Sequence, residues 1–395
     1  MKKTYLLTPG PTPVPPEVLL AMAQPVMHHR SPEFRAITKE IREGLRFLFQ
    51  TDQEVLTFVS SGTGAMEAAV ANTLKPGDRI LVIEAGKFGE RWGELCQAHG
   101  AVVEKIQPAW GHMCPAKDVA EALKKAPDIK AVFCQANETS TGVCAPLEEL
   151  GRICRDHSAI LVVDAVSALG AMDIPTDRWG LDIVVSGSQK ALMLPPGLAF
   201  ASVSEKAWKV VRATAPSAYY FSFAKTLAAA EKDQGAFTSA VSLMYGLQAV
   251  LRILRAEGLE GIFARHRRLS AGTKAAMRAL GLGLYSKDNP SDCLTAVEAP
   301  AKIDGQKIVA RMRDEHGIYV AGGQAQAKGR IFRVSHMGYI SESDILLTVA
   351  ALEAVLRDLG HAVEFGSGVR AAQEVFYGRT ATPVVNPVTC RCCSR

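Results

Sequence analysis

The feature that most restricts the fold is an alternation, through the first half of the chain, of short apolar runs with helical patterns. Runs at 55–59, 79–83, 102–106, 130–134, 160–164, 183–186 and 199–202 are rich in β-branched residues and read as strands. Between them, 64–74, 89–99, 116–125 and 147–156 carry the spacing of amphipathic helices. A run such as Ala159-Ile160-Leu161-Val162-Val163-Asp164 is apolar at every position before its last. Such a strand is covered on both faces, as in a parallel sheet. The alternation predicts an α/β fold with a mainly parallel seven-stranded sheet between helices.

Beyond about residue 240 the pattern changes. Two long helices are expected at 242–257 and 259–280, then a smaller α+β region with strands near 294–298 and 331–334 and a helix at 342–359. The predicted division is a large domain over 16–257, a small one assembled from 1–15 and 258–376, and an extended tail over 377–395. A chain of 395 residues is too long for one ordinary core and suits this plan.

Composition narrows the function. With 48% hydrophobic and 22% charged residues the chain reads as a soluble globular protein. A net charge of +5 comes with no basic stripe longer than Arg265-His266-Arg267-Arg268, expected to be a solvated helix face, so no nucleic-acid partner is predicted. No apolar run is long enough to span a membrane, and Pro9 interrupts the N-terminus before a signal sequence can form. Nine cysteines, an odd number, point to a reducing cytoplasm. Six lie mostly inside apolar runs, as buried thiols do, while Cys390, Cys392 and Cys393 share the tail with arginines. That tail is read as exposed and dispensable rather than as a metal or redox centre. His28-His29-Arg30 is likewise no metal site by itself.

Three segments carry chemistry. Val184-Val185-Ser186-Gly187-Ser188-Gln189-Lys190 ends an apolar strand in small polar residues and a lysine. A lysine just beyond a buried strand loses hydration, which lowers its pKa and makes it nucleophilic. An isolated lysine there is ordinarily a surface residue, so the reading needs its neighbours. Asp164 closes the most apolar strand and sits at the edge where open α/β sheets bind ligands. A carboxylate there can pair with a protonated pyridine nitrogen. Ser60-Ser61-Gly62-Thr63-Gly64 follows a strand and opens a helix, presenting free N–H groups to a phosphate monoester.

Together these segments resemble fold-type I pyridoxal phosphate enzymes, and among them the class V aminotransferases. The nearest group is that of the alanine–glyoxylate, serine–glyoxylate and serine–pyruvate aminotransferases. Leu6-Leu7-Thr8-Pro9-Gly10-Pro11-Thr12-Pro13, Gly86-Lys87-Phe88-Gly89-Glu90-Arg91 and Asn137-Glu138-Thr139-Ser140-Thr141-Gly142 look like that group's motifs, and the likeness covers roughly residues 5–372.

The resemblance implies a site. Lys190 would hold the cofactor covalently and Asp164 would pair with its ring nitrogen. Ser61, Gly62, Thr63 and Gln189 would hold its phosphate. Phe88, where many relatives have Trp, and Val166 would flank the ring, and Thr139 would meet its phenolic oxygen. Arg333, in Gly329-Arg330-Ile331-Phe332-Arg333-Val334, would clamp the substrate carboxylate, with Gly10 allowing close backbone approach. The family's sites lie at a homodimer interface, so Thr238 would reach the phosphate of a partner's site. Gly235 stands where relatives often carry a tyrosine.

The implied activity is ping-pong transamination from alanine or serine to glyoxylate or pyruvate, with Lys190 as the base. Aspartate and aminophosphonate or aminosulfonate donors are alternatives. A cysteine desulfurase-like lyase is another, with Cys293 as its thiol, although Phe88 and Gln189 stand where those enzymes typically place histidines.

Overall fold

The computed structural model describes residues 3–214 and 218–378. Seven strands form the large sheet: Val55–Phe58 (β1), Arg79–Ile83 (β2), Val102–Ile106 (β3), Ala131–Gln135 (β4), Ile160–Asp164 (β5), Ile183–Gly187 (β6) and Ala199–Val203 (β7). Their order across the sheet is β1-β7-β6-β5-β4-β2-β3. Strands β2 to β6 are mutually parallel, and β7 runs antiparallel to both β6 and β1. The mainly parallel sheet expected from the apolar runs is therefore present.

The reason lies in how β5 is used. Leu161 and Val163 face one apolar cluster, built with Phe34, Ile41 and Leu45 of the helix Pro32–Phe49 and Val250 of the helix Val241–Glu257. Ile160 and Val162 face another, built with Ala65, Met66 and Ala69 of the helix Gly62–Thr73. Side chains alternate across a strand, so a strand sandwiched between two layers must be apolar throughout.

A second sheet pairs Leu294–Glu298 (β8) and Ala321–Gly322 (β9) antiparallel with Ile331–Ser335 (β10). It packs under the helices Leu259–Ala279, Gly305–His316, Glu342–Asp358 and Ser367–Tyr377, with Met277, Phe332, Val349, Leu352 and Phe376 in one core. Leu7 joins this core, because Tyr5–Leu6 pairs in parallel with Ile318–Tyr319.

The structure departs from the sequence reading in instructive places. Helices at Pro16–Met22, Pro32–Phe49, Glu205–Thr214, Phe223–Ala230, Gly305–His316 and Ser367–Tyr377 come in addition to those expected. Two of them begin at proline, whose missing N–H costs nothing at a first helical position. The expected tail starts too early, since Tyr377 still closes a helix whose Phe376 packs on Gly272. Residues 379–395, with Cys390, Cys392 and Cys393, lie outside the described residues. The cluster at 265–268 is not a wholly solvated face. Arg267 and Arg268 are exposed, but His266 is fully buried, bonded to Ile262 O at 2.7 Å and accepting from Gly338 N–H at 3.0 Å. A turn of 3.6 residues cannot present four consecutive side chains to water. Cys96, Cys114, Cys134, Cys144, Cys154 and Cys293 are free and buried. No described helix is long and apolar enough to cross a membrane.

Candidate active site

Strands β5 and β6 end side by side, with Asp164 level with Val185. β6 continues to Gly187 and turns through Ser188 and Gln189 to Lys190. Ser188 Oγ holds that turn by donating to Pro195 O at 2.7 Å and accepting from Leu198 N at 3.2 Å. The N-terminal segment holds it from above: Thr12 Oγ1 donates to Lys190 O at 2.7 Å and Thr12 N to Gln189 O at 3.1 Å. The lysine chain lies along Gly10, and its ammonium donates to Pro9 O. A Cβ on Gly10 would land on the lysine itself. Gly10 thus allows a close approach of the backbone to Lys190.

Burial pushes the Lys190 amine down to about 8; Asp164 opposes this and Arg333 adds to it. Asp164 is buried, and burial lifts its carboxyl to about 6. The N–H of Val166, which donates to Oδ1 at 2.8 Å, works against that rise, as do the charges of Lys190 and Arg91. Two ionisable groups so strongly shifted by burial and lying close together mark a candidate functional site.

Gly62–Thr73 begins beside this pair. Its N-cap Ser61 makes no side-chain capping bond; Gly64 N donates to Ser61 O at 2.8 Å, ahead of which Gly62 and Thr63 open the helix. Val166 lies so near that a Cβ on Gly62 would sit 2.8 Å from its Cγ2. A Cβ on Gly187 would lie 3.2 Å from Gly62 Cα and 3.0 Å from Gln189 Oε1, a buried oxygen with no hydrogen-bond partner. Arg91 reaches the same place, donating to Thr63 Oγ1 at 3.3 Å with its guanidinium 5.0 Å from the Phe88 ring centre.

The opposite wall is a tight hairpin, Asn137–Glu138 against Val143–Cys144, with Thr139 buried in its turn. Thr139 O accepts from Arg333 Nη1 at 2.9 Å. Arg333, on β10, also donates to Gly322 O from Nε at 3.0 Å and from Nη2 at 2.7 Å. A guanidinium has five N–H groups. These bonds leave one on each terminal nitrogen for a ligand. Burial lowers its pKa to about 10, against the opposing charge of Glu138.

Of the residues singled out from sequence, Lys190, Asp164, Gln189, Ser61, Gly62, Thr63, Val166, Phe88, Thr139, Arg333 and Gly10 line this cleft or its immediate supports. Thr238 does not close it within one chain. It is exposed and lines a separate hollow with Thr57, Tyr220, Gly235 and Phe237. Arg30 lies near that segment, donating to Gln234 Oε1 at 3.0 Å. Cys293 is fully buried and its thiol is pushed well above the ordinary value, the reverse of a nucleophile's setting. Among the described residues no group of three or more His, Cys, Asp or Glu side chains could hold a metal ion. Glu138, Arg91 and Thr12 appear in the sequence only as members of motifs, with no role of their own. Glu138 comes shortly after a fully buried strand, a position where an acid needs several donors around it.

The model of the family described as aminotransferase class-V matches residues 4–347. The chain belongs to the class-V aminotransferases. Its relatives include a protein named "Soluble hydrogenase, small subunit" from Synechococcus sp., 46% identical over 380 residues, covering 94% of this chain and 98% of the relative. They also include the L-aspartate–glyoxylate aminotransferase of Paracoccus denitrificans, 37% identical, with coverage of 95% and 97%. The serine–glyoxylate aminotransferase of Hyphomicrobium methylovorum is 38% identical, with coverage of 98% and 97%. Among solved structures, the ureidoglycine–glyoxylate aminotransferase of Bacillus subtilis superposes with a TM-score of 0.90 at 32% identity, covering 95% of this chain and 98% of that one. This class-V protein is a pyridoxal phosphate-dependent transaminase of fold type I. The residues of the cleft fit that cofactor: a helix start of small residues suited to an anion, an orphaned Gln189 oxygen, and a buried acid whose charge lacks solvent.

Proposed function

We propose that the enzyme moves the amino group of a small amino acid, alanine or serine, to glyoxylate or pyruvate in two half-reactions. The observation that carries this reading is the placement of Lys190 within reach of the charges of Asp164 and Arg333, an arginine that keeps two N–H groups unused. Glyoxylate recurs in the names of three of the relatives described above while the amino donor changes, which supports a constant acceptor.

Bound pyridoxal phosphate supplies an electron-withdrawing ring that lets the Cα–H bond of an attached amino acid ionise. Lys190 would hold the cofactor and would take the proton from Cα as base. An amine near 8 is partly unprotonated at neutral pH, as a base must be. Asp164 would pair with the ring nitrogen, a positive partner that would offset the cost of its burial. Ser61, Gly62, Thr63 and Gln189 would hold the phosphate. Phe88 and Val166 would flank the ring and Thr139 would meet its phenolic oxygen. Arg333 fixes the substrate carboxylate, and Gly10 leaves room for the lysine. Thr238 serves the site of a second copy in a homodimer, which its exposure here favours. Residues 16–257 would form the cofactor-bearing domain and 1–15 with 258–376 the smaller one, whose separate core supports that division. The buried free thiols suit a cytoplasmic enzyme.

Aspartate is a second reading, favoured by Arg91. Among the described residues no carboxylate pairs with this half-buried guanidinium, and it could meet a second acid group.

Single-turnover mixing of loaded enzyme with alanine, serine and aspartate, followed by the visible band of the bound cofactor, tests both. Fast loss of the band with alanine or serine supports the proposal, and loss with aspartate alone overturns it. Lys190→Ala should slow the half-reaction roughly 10⁴-fold. Retention of turnover in that variant would remove Lys190 from its role.

A further inference from the structure

Glu138 is 1% exposed, and no Lys, Arg or His pairs with it in an ion pair among the described residues. A buried carboxylate without an ion pair needs another source of stabilisation. Here it comes from four hydrogen bonds. Oε2 accepts from Phe88 N and Gly89 N, both at 3.0 Å, and Oε1 from Ser140 N at 3.0 Å and Ser140 Oγ at 2.6 Å. Ser140 Oγ in turn accepts from Lys87 N at 3.0 Å.

Lys87, Phe88 and Gly89 are the first three residues of the helix Lys87–Ala98, whose own N-cap, Gly86, has no side chain to offer. The hairpin therefore caps this helix from about fifty residues away in sequence, supplying acceptors for its first N–H groups and a negative charge at its positive end. The approach is close enough that a Cβ on Gly86 would lie 2.7 Å from both Glu138 Cγ and Cδ. All four bonds point into the carboxylate. Protonation would add a hydrogen with no vacant acceptor unless Ser140 gave up one of its own bonds.

We propose that Glu138 is a positioning residue that sets both sides of the cleft. Through the capped helix start it orients Phe88, and through the turn it begins it fixes Thr139 O, which holds Arg333. The inference rests on the transaminase reading only for what Phe88 and Arg333 contact.

Glu138→Gln tests it, because an amide must turn its NH₂ toward N–H donors on one side or the other. The measurements are the affinity of apo-protein for pyridoxal phosphate and for pyridoxal, inhibition by propionate, which offers only a carboxylate, and thermal midpoint. Glu138→Gln should weaken both cofactor forms equally, by about tenfold, because the ring rather than the phosphate loses its wall. It should weaken propionate by several-fold through Arg333. In a Phe88→Ala background the cofactor loss should shrink below about twofold, the non-additivity expected of residues acting as one unit. Ser140→Ala should give the same pattern more weakly and serves if Glu138→Gln does not fold. A lower midpoint with unchanged affinities would reduce Glu138 to a brace, and additive losses with Phe88→Ala would also overturn the inference. Wild-type protein that bound neither cofactor form would instead sink the transaminase reading and this inference with it.

Discussion

The floor of the cleft and the segment around Thr238 follow opposite rules. At the floor, Lys190 and Asp164 are charged groups held largely away from water, their acidities displaced by that burial. Around Thr238 the chain leaves aromatic surface uncovered: Tyr219 is 71% and Tyr220 43% exposed, with Tyr220 stacked on Phe237 at 4.9 Å between ring centres. The floor carries unfavourable electrostatics that one chain maintains by itself, by anchoring the lysine turn at Ser188 and Thr12. The Thr238 segment leaves side chains to solvent, with ring contacts to Phe237 among those aromatics. One region is buried and charged; the other is exposed and aromatic.

Asp164→Asn should break the comparison most severely. Turnover should fall roughly 10²- to 10³-fold in steady-state assays, as when an oriented charge is removed from a water-poor site. Stability should move the other way. A carboxyl raised from 3.8 to about 6 favours the folded apo-protein below about pH 4 and loses that contribution as pH rises through 6. The shift corresponds to about 3 kcal/mol. Asparagine cannot ionise, so apo-Asp164→Asn should melt higher than the parent above pH 6 and equally below pH 4. Equal melting at both would show that burial does not strain the floor.

Arg333→Lys comes next. Lysine lacks the planar fork that spans Gly322 O, Thr139 O and a substrate carboxylate, so KM for the amino donor should rise about tenfold or more with kcat less affected. A fall in kcat alone would mean that the arginine acts on the chemistry rather than on binding.

Thr238→Ala should cost only about three- to tenfold in cofactor affinity, one hydrogen bond's worth. The loss should become concentration-dependent if the residue serves a second copy. A loss independent of protein concentration would place Thr238 in its own chain's site. The smallest effect is expected from a stop codon after Gly378, which should leave turnover unchanged in the same assay.

Much of this could be read from residues in a row. Inner strands such as β5 are legible because burial on both faces leaves them almost wholly apolar, whereas the edge strand β3, with Val102 and Lys105 exposed, is legible only by its β-branched residues. Asp164 ends β5, and Lys190 and Ser61–Thr63 come within a few residues of the ends of β6 and β1, which made them legible. What the sequence hid depends on residues far apart. Glu138 looks like a polar loop residue until the amides of Phe88 and Gly89 are brought to it. His266 sits among arginines that announce water, and only the helix turn shows that it faces inward. The helix Ser367–Tyr377 was obscured by Gly366 and Gly368 at its start, yet Phe376 finds a seat on Gly272 that no local pattern foretells.

The pairing of Tyr5–Leu6 with Ile318–Tyr319 has a consequence for biosynthesis. Tyr5–Leu6 can pair only after some three hundred further residues have been translated. Thr12, which steadies the lysine turn, belongs to that waiting segment. The strands of the large sheet lie between the two partners in the chain, so they are made before this pairing can anchor the segment that braces Lys190.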